Sequence, residues 1–203
     1  MDIDEEQVEI LETVETVLAN CSGSRWGKFQ GDVIPRIIAS YISKHLPLSY
    51  KVVGPNVYIE DNPIEFDLMI VDSETGAIPH TSAYPDTSIR AVIEVKRIGV
   101  IASLNKLEPA LKKIRDNFES ATHKRIREAN SLRFVVIARP NCRAAYLSIG
   151  ETINPLREKS IRYGDITRKV LAPYPAFILS DLRGNIPQPG EWKRFIQYLT
   201  ESL

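Results

Sequence analysis

Two short apolar runs, each bordered by charged side chains, constrain this chain most. The first run, Leu68–Val71, begins directly after Asp67, and the second, Ala91–Val95, contains Glu94 and is followed by Lys96. Both runs have the length and β-branched content of buried strands, and turn-forming residues lie between them. Because side chains alternate faces along a strand, Glu94 and Lys96 must share one face. If the runs pair antiparallel, Asp67 lies beside Glu94, and two carboxylates and an ammonium meet on an otherwise apolar sheet.

This cluster of charges predicts a metal site. Adjacent carboxylates repel each other, and burying even one unpaired charge is costly. A divalent cation relieves both problems, and two carboxylates, a backbone carbonyl and waters suit Mg²⁺. A lysine beside such a metal can position or deprotonate a water whose pKa the metal lowers. The expected chemistry is hydrolysis of a phosphodiester, with Mg²⁺ as cofactor and Mn²⁺ as its substitute.

The same residues resemble the D…ExK signature of the restriction-endonuclease-like (PD-(D/E)xK) nuclease superfamily. Asp67 heads one apolar strand, and Glu94-Val95-Lys96 lie in the next. The chain is also similar to an uncharacterised bacterial branch of that superfamily, in which a Gly-initiated helix ends as at Leu46-Pro47. That branch closes with a Pro-led apolar strand, as at Pro175–Leu179. The resemblance spans roughly residues 25 to 200.

The resemblance implies both a fold and an activity. The fold would be a restriction-endonuclease-like α/β core in αβββαβ order, with a central mixed β-sheet flanked by helices. The activity would be Mg²⁺-dependent nuclease cleavage that leaves a 5′-phosphate, with DNA as the expected nucleic acid. Asp67 and Glu94 would bind the metal together with the carbonyl of Val95, and Lys96 would serve the attacking water.

A further ligand is sought in the helix that precedes the motif, since the superfamily often places an acidic or amide residue there. That helix is predicted from Gly27 to Leu46, and Gln30 falls on its apolar stripe, which makes Gln30 the accessory candidate. Pro35 is tolerated best in a first turn, so the regular helix is expected to begin near Asp32. Asp32 lies off the stripe and is interpreted as a helix cap.

A second aspartate competes with Asp67, because Pro85-Asp86 spells the literal "PD" of the motif. A strand advances ~3.3 Å per residue, so eight steps of continuous strand would leave Asp86 ~26 Å from Glu94. Two ligands of one Mg²⁺ lie only ~3 Å apart. Asp67 instead opens its own strand, so we assign the metal to Asp67 and interpret Pro85-Asp86 as a turn.

Two other interpretations stay open. The chain could be a binding or regulatory module that kept the fold and lost catalysis, although its Asp, Glu and Lys are intact. Alternatively, the three charges could form a surface salt bridge on an unrelated α/β protein. That reading requires Glu94 to face solvent, which the apolar residues around it in the strand disfavour.

Charge is distributed unevenly along the chain. Residues 1–20 carry seven acidic and no basic side chains, which leaves 26 basic against 19 acidic residues elsewhere. The body is therefore mildly basic, as expected for a surface that handles phosphates. Residues 1–20 predict an acidic helix that packs on the body or on a partner, which could be a second copy in a homodimer. A later helix carries a basic face that could follow a nucleic-acid backbone, including Lys112, Lys113 and Arg115.

The chain as a whole predicts one domain over residues 1–203. Its two distant cysteines fit a reducing cytoplasm, and no apolar run approaches the ~20 residues of a spanning helix. The remaining expectations are a helix from after Lys96 to about Asn130, a buried strand at Leu132–Ala138, a helix in part of Ala144–Glu158, a loop at Ile161–Leu171, a strand at Ala176–Leu179 and a terminal helix at Glu191–Leu203.

Overall fold

The computed structural model describes residues 2–21, 27–98, 104–127, 134–138, 142–150, 157–180, 188–201 and 203. The described residues form five α-helices and ten strands. In order they are α1 (Ile3–Asn20), α2 (Gly27–Ile42), β1 (Tyr50–Val53), β2 (Val57–Ile59), β3 (Asn62–Phe66), β4 (Leu68–Asp72), β5 (Ala83–Tyr84), β6 (Ile89–Ile98), α3 (Leu104–Thr122), β7 (His123–Arg127), β8 (Phe134–Ala138), β9 (Arg143–Gly150), α4 (Arg157–Leu171), β10 (Ala176–Ile178) and α5 (Glu191–Thr200).

The central sheet has five strands in the order β1-β4-β6-β9-β10. The β1–β4 and β4–β6 pairs are antiparallel, whereas β6–β9 and β9–β10 are parallel. Helix α2 precedes the three antiparallel strands of this sheet, and α3 precedes β9. The predicted αβββαβ order and central mixed sheet flanked by helices are thereby confirmed.

Each face of the sheet is covered by its own group of helices. Ile93 and Val95 of β6 point to the face packed by α1, α2 and α5, in a cluster that includes Ile38 and Trp192. Val92 points to the opposite face, which α3 and α4 cover. Because side chains alternate along β6, Glu94 and Lys96 project on the α3 and α4 side.

Helix α1 packs against the body of its own chain. It begins with a capping box formed by Asp2 and Glu5 and buries Ile10. Its buried Glu6 accepts hydrogen bonds of 2.6 Å from Trp192 Nε1 of α5 and of 2.6 Å from His45 Nε2. Within the described residues, none of the helices combines the length and apolar character needed to cross a bilayer.

Helix α2 corrects the interpretation of Asp32 and Pro35. The helix begins at Gly27, so Pro35 lies in its interior and Asp32 is not its cap. Pro35 removes one hydrogen bond to the carbonyl of Gly31, an exposed residue whose carbonyl water can satisfy. The Asp32 carboxylate instead accepts a hydrogen bond of 3.2 Å from Asn56 Nδ2, just before β2.

The segment after the motif strands departs from prediction. Helix α3 ends at Thr122 rather than near Asn130, and the chain continues as β7, which pairs with β8 in a separate two-stranded sheet. Strand β8 lies within the predicted strand at Leu132–Ala138, although its side chains fall outside the described part of the structure. Three basic residues that fall within the predicted helix therefore lie on β7: Lys124, Arg125 and Arg127.

The predicted helix within Ala144–Glu158 is wrong over its first half, because β9 occupies Arg143–Gly150. All residues from Ala144 to Ile149 are buried, so this strand appears in the sequence as a mostly apolar run that only Ser148 interrupts. Such a run lacks the alternation that marks a half-exposed strand and cannot be told from a buried helix by periodicity.

The predicted loop at Ile161–Leu171 is also wrong, since α4 covers it. The buried stripe of α4 consists of Tyr163, Thr167 and Leu171 at helical spacing. Two of these three side chains carry hydroxyls, which conceals the stripe from a search for aliphatic residues. Strand β10 and helix α5 lie where they were predicted.

Candidate active site

Asp67 lies between β3 and β4, at the start of the first motif strand. In the β4–β6 ladder Leu68 is opposite Ile93, so Asp67 comes level with Glu94. The Asp67 Oδ2 atom accepts hydrogen bonds from the Val95 backbone N–H at 2.8 Å and from Lys96 Nζ at 3.1 Å. The carboxylate is thereby held against β6, as antiparallel pairing of the two runs predicted.

The turn between β1 and β2 packs against the backbone of Asp67. Gly54 has a φ of 135° and approaches so closely that a Cβ there would lie 2.4 Å from the Asp67 carbonyl oxygen. Only glycine meets both demands at this position. Two residues later, Asn56 donates to Asp32, so the same turn also connects to α2.

Glu94 and Lys96 complete the cluster. Glu94 Oε1 lies 2.6 Å from Lys96 Nζ, so one ammonium contacts both carboxylates. The side chains of Glu94 and Asp67 are 12% and 19% exposed, whereas that of Lys96 is 43% exposed. The carboxylates therefore form the base of the site, and the ammonium lies at its opening.

The two carboxylates are only partly neutralised by this single lysine. Burial and then the charge of Asp67 raise the pKa of Glu94 from 4.5 to about 7, even though Lys96 acts in the opposite direction. For Lys96, burial opposes the charge, but the attraction of Glu94 and Asp67 outweighs it and raises its pKa. Lys96 is thus an ammonium at neutral pH and serves as a hydrogen-bond donor. The cluster therefore has too little positive charge to balance its two carboxylates.

The donor set consists of oxygen atoms, so it fits Mg²⁺ or Mn²⁺ better than a metal that prefers nitrogen or sulfur ligands. The described residues contain no group of three or more His, Cys, Asp and Glu side chains that could hold a metal ion. They offer the two carboxylates and the carbonyl of Val95, which points to the same side of the strand as its N–H group. Mg²⁺ commonly uses one or two carboxylates and retains several waters, so two acidic side chains suffice for it.

The cations expected to contact nucleic acid lie on α3, which covers the same face of the sheet. Lys112 and Lys113 are exposed, and Lys112 pairs with Glu108 at 3.1 Å. Arg115 differs from them, because its Nη1 donates to the Val170 carbonyl of α4 at 3.3 Å. Lys112 and Lys113 are therefore available to a ligand, whereas Arg115 also joins two helices.

Asp86 and Gln30 were the two other candidates for binding the metal. Asp86 opens a short 3-10 turn, Asp86–Ser88, at the far end of β6 from Glu94. Gln30 lies in the first turn of α2, but its side chain is outside the described residues.

Sequence reasoning missed the polar side chains of β9 and α4 that border the cluster. Tyr146 is the partner of Glu94 across the parallel β6–β9 pair, and Ser148 is the partner of Lys96. Tyr163 of α4 contacts Tyr146 through its hydroxyl. Recognising 143–150 as a buried strand parallel to β6 would have revealed these neighbours.

Comparisons with known proteins place this fold in a class. No protein-family model matches the chain, and no curated protein matches it. Among solved structures, NucC of E. coli MS115-1 in its cAAA-bound form has a TM-score of 0.57 and 13% identity, over 98% of this chain and 90% of that one. Its apo form gives 0.51 and 14%, over 98% and 92%. NucC of P. aeruginosa ATCC27853, cAAA-bound, gives 0.47 and 10%, over 73% of this chain and 63% of that one.

NucC proteins are nucleases with a restriction-endonuclease-like fold, and the fold of this chain is of that class. At 13% and 14% identity, the likeness to the E. coli structures establishes the fold and leaves the activity to be argued from the site.

Proposed function

We propose that this protein is a metal-dependent nuclease that hydrolyses phosphodiester bonds in DNA. One observation carries the proposal: Asp67 and Glu94 converge on Lys96 Nζ, at 3.1 and 2.6 Å, in adjacent strands of a restriction-endonuclease-like sheet. Two largely buried carboxylates in contact with one ammonium leave a net negative site, which a divalent cation would neutralise.

Each residue has a distinct task in this proposal. Asp67, Glu94 and the Val95 carbonyl would hold Mg²⁺, or Mn²⁺ in its place. When bound, the ion would polarise the scissile phosphate and promote ionisation of the attacking water. Lys96, protonated and the most exposed of the three charged groups, would donate a hydrogen bond that orients the water and would stabilise the charge that develops on the phosphate.

The substrate would approach from the side of α3 and α4, where Lys96 is exposed. Lys112 and Lys113 on α3 would contact phosphates of the backbone, and Arg115 would contribute less because it already binds α4. These contacts are independent of sequence, so affinity should fall steeply with rising salt concentration.

A second candidate function is favoured by the position of Lys96. Its ammonium contacts both carboxylates, an arrangement that a non-catalytic nucleic-acid-binding module could retain. The two functions differ in one measurable property, because only the nuclease needs a metal ion to act.

The test combines metal titration with cleavage. Mn²⁺ and Mg²⁺ binding are measured by calorimetry, and cleavage of single- and double-stranded DNA and RNA is followed with metal and with chelator. We expect cleavage that stops on chelation. Lys96→Ala should slow turnover ~10²–10⁴-fold while keeping metal affinity, and Lys193→Ala, an exposed lysine on α5, is the matched control.

Three results would separate the possibilities. A folded protein that binds no Mn²⁺ at millimolar concentration refutes the metal site. Metal-independent binding of nucleic acid without cleavage supports the binding module. Wild-type turnover in Lys96→Ala shows that Lys96 is structural.

A further inference from the structure

A cleft of about 490 Å³ lies at the edge of the central sheet, beside β10 and between α4 and α5. Its volume is within the range of small-molecule sites, about 300–1,000 Å³. Two arginines line it, Arg168 from α4 and Arg194 from α5, together with residues of β10 and of the segment that precedes β10. Asp67, Glu94 and Lys96 do not line it, so the cleft is separate from the candidate metal site.

The two arginines provide more positive charge than the buried carboxylate between them requires. Glu191 is 6% exposed and accepts the Ile178 backbone N–H at 2.9 Å. Arg194 Nη1 lies 2.5 Å from Glu191 Oε1, and this contact alone pairs the carboxylate with a cation. Arg168 Nη2 is farther from the other oxygen, at 3.5 Å, and its side chain is 47% exposed. Because a guanidinium has several N–H donors, both arginines keep donors for a ligand.

The second carboxylate of the cleft, that of Glu201, is engaged within α5. It accepts a hydrogen bond of 2.7 Å from Gln197 Nε2, and the backbone carbonyl of Glu201 accepts one from Arg143. The Arg143 guanidinium also lies over the Tyr198 ring, 4.9 Å from its centroid. Among the described residues that line or border the cleft in this way, three guanidiniums face two carboxylates. The cleft therefore suits an anion.

Two half-buried tyrosine rings form part of the cleft, and both are held at their hydroxyl ends. The Tyr198 hydroxyl donates to the Ala144 carbonyl at 3.3 Å, and its ring centroid lies 5.9 Å from that of Phe177. The Tyr174 hydroxyl lies 3.1 Å from Thr122 Oγ1. Such fixed rings offer apolar surface on which a flat ring can pack at little cost in side-chain entropy.

The arrangement of the arginines favours a phosphate over a carboxylate. Arg168 and Arg194 approach from two different helices, whereas a carboxylate offers two oxygens in a single plane, as Glu191 already does. A phosphate monoester offers three acceptor oxygens and a charge of about −2, so it can receive both guanidiniums at once. The cleft thus fits a flat ring that carries a phosphate monoester.

We propose that this cleft binds a nucleoside 5′-monophosphate unit, with the phosphate on Arg168 and Arg194 and the base against Tyr174 and Tyr198. Two sources present this chemistry: a free mononucleotide and the 5′-phosphorylated end of a nucleic-acid strand. The choice of a nucleotide among ring-bearing phosphates rests on the proposed function, because 5′-phosphorylated strands are the products expected of the nuclease. Binding in the cleft itself needs no metal.

The experiment measures binding to the full-length protein by calorimetry in EDTA, so that no metal-dependent cleavage occurs. The probes are thymidine 5′-monophosphate, thymidine and inorganic phosphate, and the first should bind more tightly than either of the others. Arg168→Ala should weaken its binding ~10–100-fold, since hydrogen bonds from a charged donor are lost while Arg194 still pairs Glu191. Lys169→Ala is the matched control: it removes the same charge from the next exposed position of α4, outside the cleft, and should keep wild-type affinity.

A second measurement separates the two sources. A 3′-labelled single strand with a 5′-phosphate is compared with the same strand carrying a 5′-hydroxyl. A preference for the phosphorylated strand that disappears in Arg168→Ala assigns the cleft to strand ends. Binding of thymidine 5′-monophosphate without such a preference assigns it to free nucleotides.

Asp67→Asn makes this proposal distinguishable from the proposed function. The variant should lose Mn²⁺ binding and keep thymidine 5′-monophosphate, and a loss of both would place the nucleotide at the metal site and overturn the proposal. The proposal is also wrong if the wild type does not bind thymidine 5′-monophosphate at millimolar concentration. Unchanged binding in Arg168→Ala, or an equal loss in Lys169→Ala, refutes the role of the arginines. A protein that binds the nucleotide and cuts nothing would refute the nuclease alone.

Discussion

Without metal, Glu94 should make the protein less stable as the pH rises, and Glu94→Gln should remove that loss. The pKa of Glu94 is about 7 in the folded chain against 4.5 for an unperturbed glutamate, because the carboxyl is buried beside Asp67. The folded state therefore holds this proton more tightly than the unfolded state. Stability from Glu94 is greatest below pH 4.5, declines as the pH rises, and is fully lost above about pH 7.

The size of the effect follows from the same two values. Each pKa unit corresponds to 1.36 kcal/mol, so a rise from 4.5 to about 7 amounts to about 3 kcal/mol. Only 12% of the Glu94 side chain is exposed, so solvent screening reduces this figure little. Glu94→Gln should thus raise the free energy of unfolding by up to about 3 kcal/mol at pH 8 and by little at pH 4.5.

Urea unfolding with EDTA at pH 4.5 and pH 8 measures the difference, and a parallel series with Mn²⁺ measures what the ion contributes. Mn²⁺ should stabilise the wild type at pH 8 and leave Glu94→Gln almost unchanged, since binding to the folded state alone raises stability. Glu191→Gln is the matched control, because that buried carboxylate pairs with Arg194 and Arg168 and accepts the Ile178 N–H.

The control variant should be destabilised at both pH values. The reasoning is refuted if Glu94→Gln is no more stable than the wild type at pH 8, or if its advantage is the same at pH 4.5. Either result would mean that Lys96 neutralises Glu94 completely and that the site has no deficit of positive charge.

Two further predictions concern the assignment of the ligand and the role of α1. Asp67→Asn should abolish Mn²⁺ binding and cleavage while Asp86→Asn stays near wild type in calorimetry and the cleavage assay, and the reverse pattern would overturn the assignment to Asp67. Glu6→Ala leaves the buried indole N–H of Trp192 without its acceptor, so it should lower the free energy of unfolding by about 1–3 kcal/mol in urea titration with no change in Mn²⁺ affinity. An unchanged stability would show that Glu6 does not hold α1 to the body.

The motif strands could be predicted because their signal is local. Leu68–Val71 and Ala91–Val95 are β-branched runs of strand length, and both lie in strands of the central sheet. The choice of Asp67 over Asp86 needed one further fact, the rise per residue of a strand. Strand β3 was missed just before them, since it begins with Asn62 and Pro63, which are rare within strands, although β3 pairs with β2.

Strand β9 and helix α4 could not be predicted, because only their contacts with segments that are distant in sequence identify them. Strand β9 lies between β6 and β10 in the sheet, although α3, β7 and β8 intervene in sequence before it. A strand covered on both faces loses its alternation, and only pairing with a distant segment distinguishes it from a buried helix.

The difference between local patterns and pairing of distant segments also limits what the sequence predicts about the chemistry of the site. Asp67, Glu94 and Lys96 meet because two adjacent strands pair, and a local pattern predicts that pairing. The burial that raises the pKa of Glu94 depends also on neighbours that come from the unpredicted half of the fold, among them Tyr146. Ligands can therefore be named from a motif, while the affinity of those ligands for protons and metal depends on residues that no motif contains. Comparing Tyr146→Phe with Lys96→Ala separates these two contributions, because the first alters the surroundings of Glu94 and the second alters the motif itself.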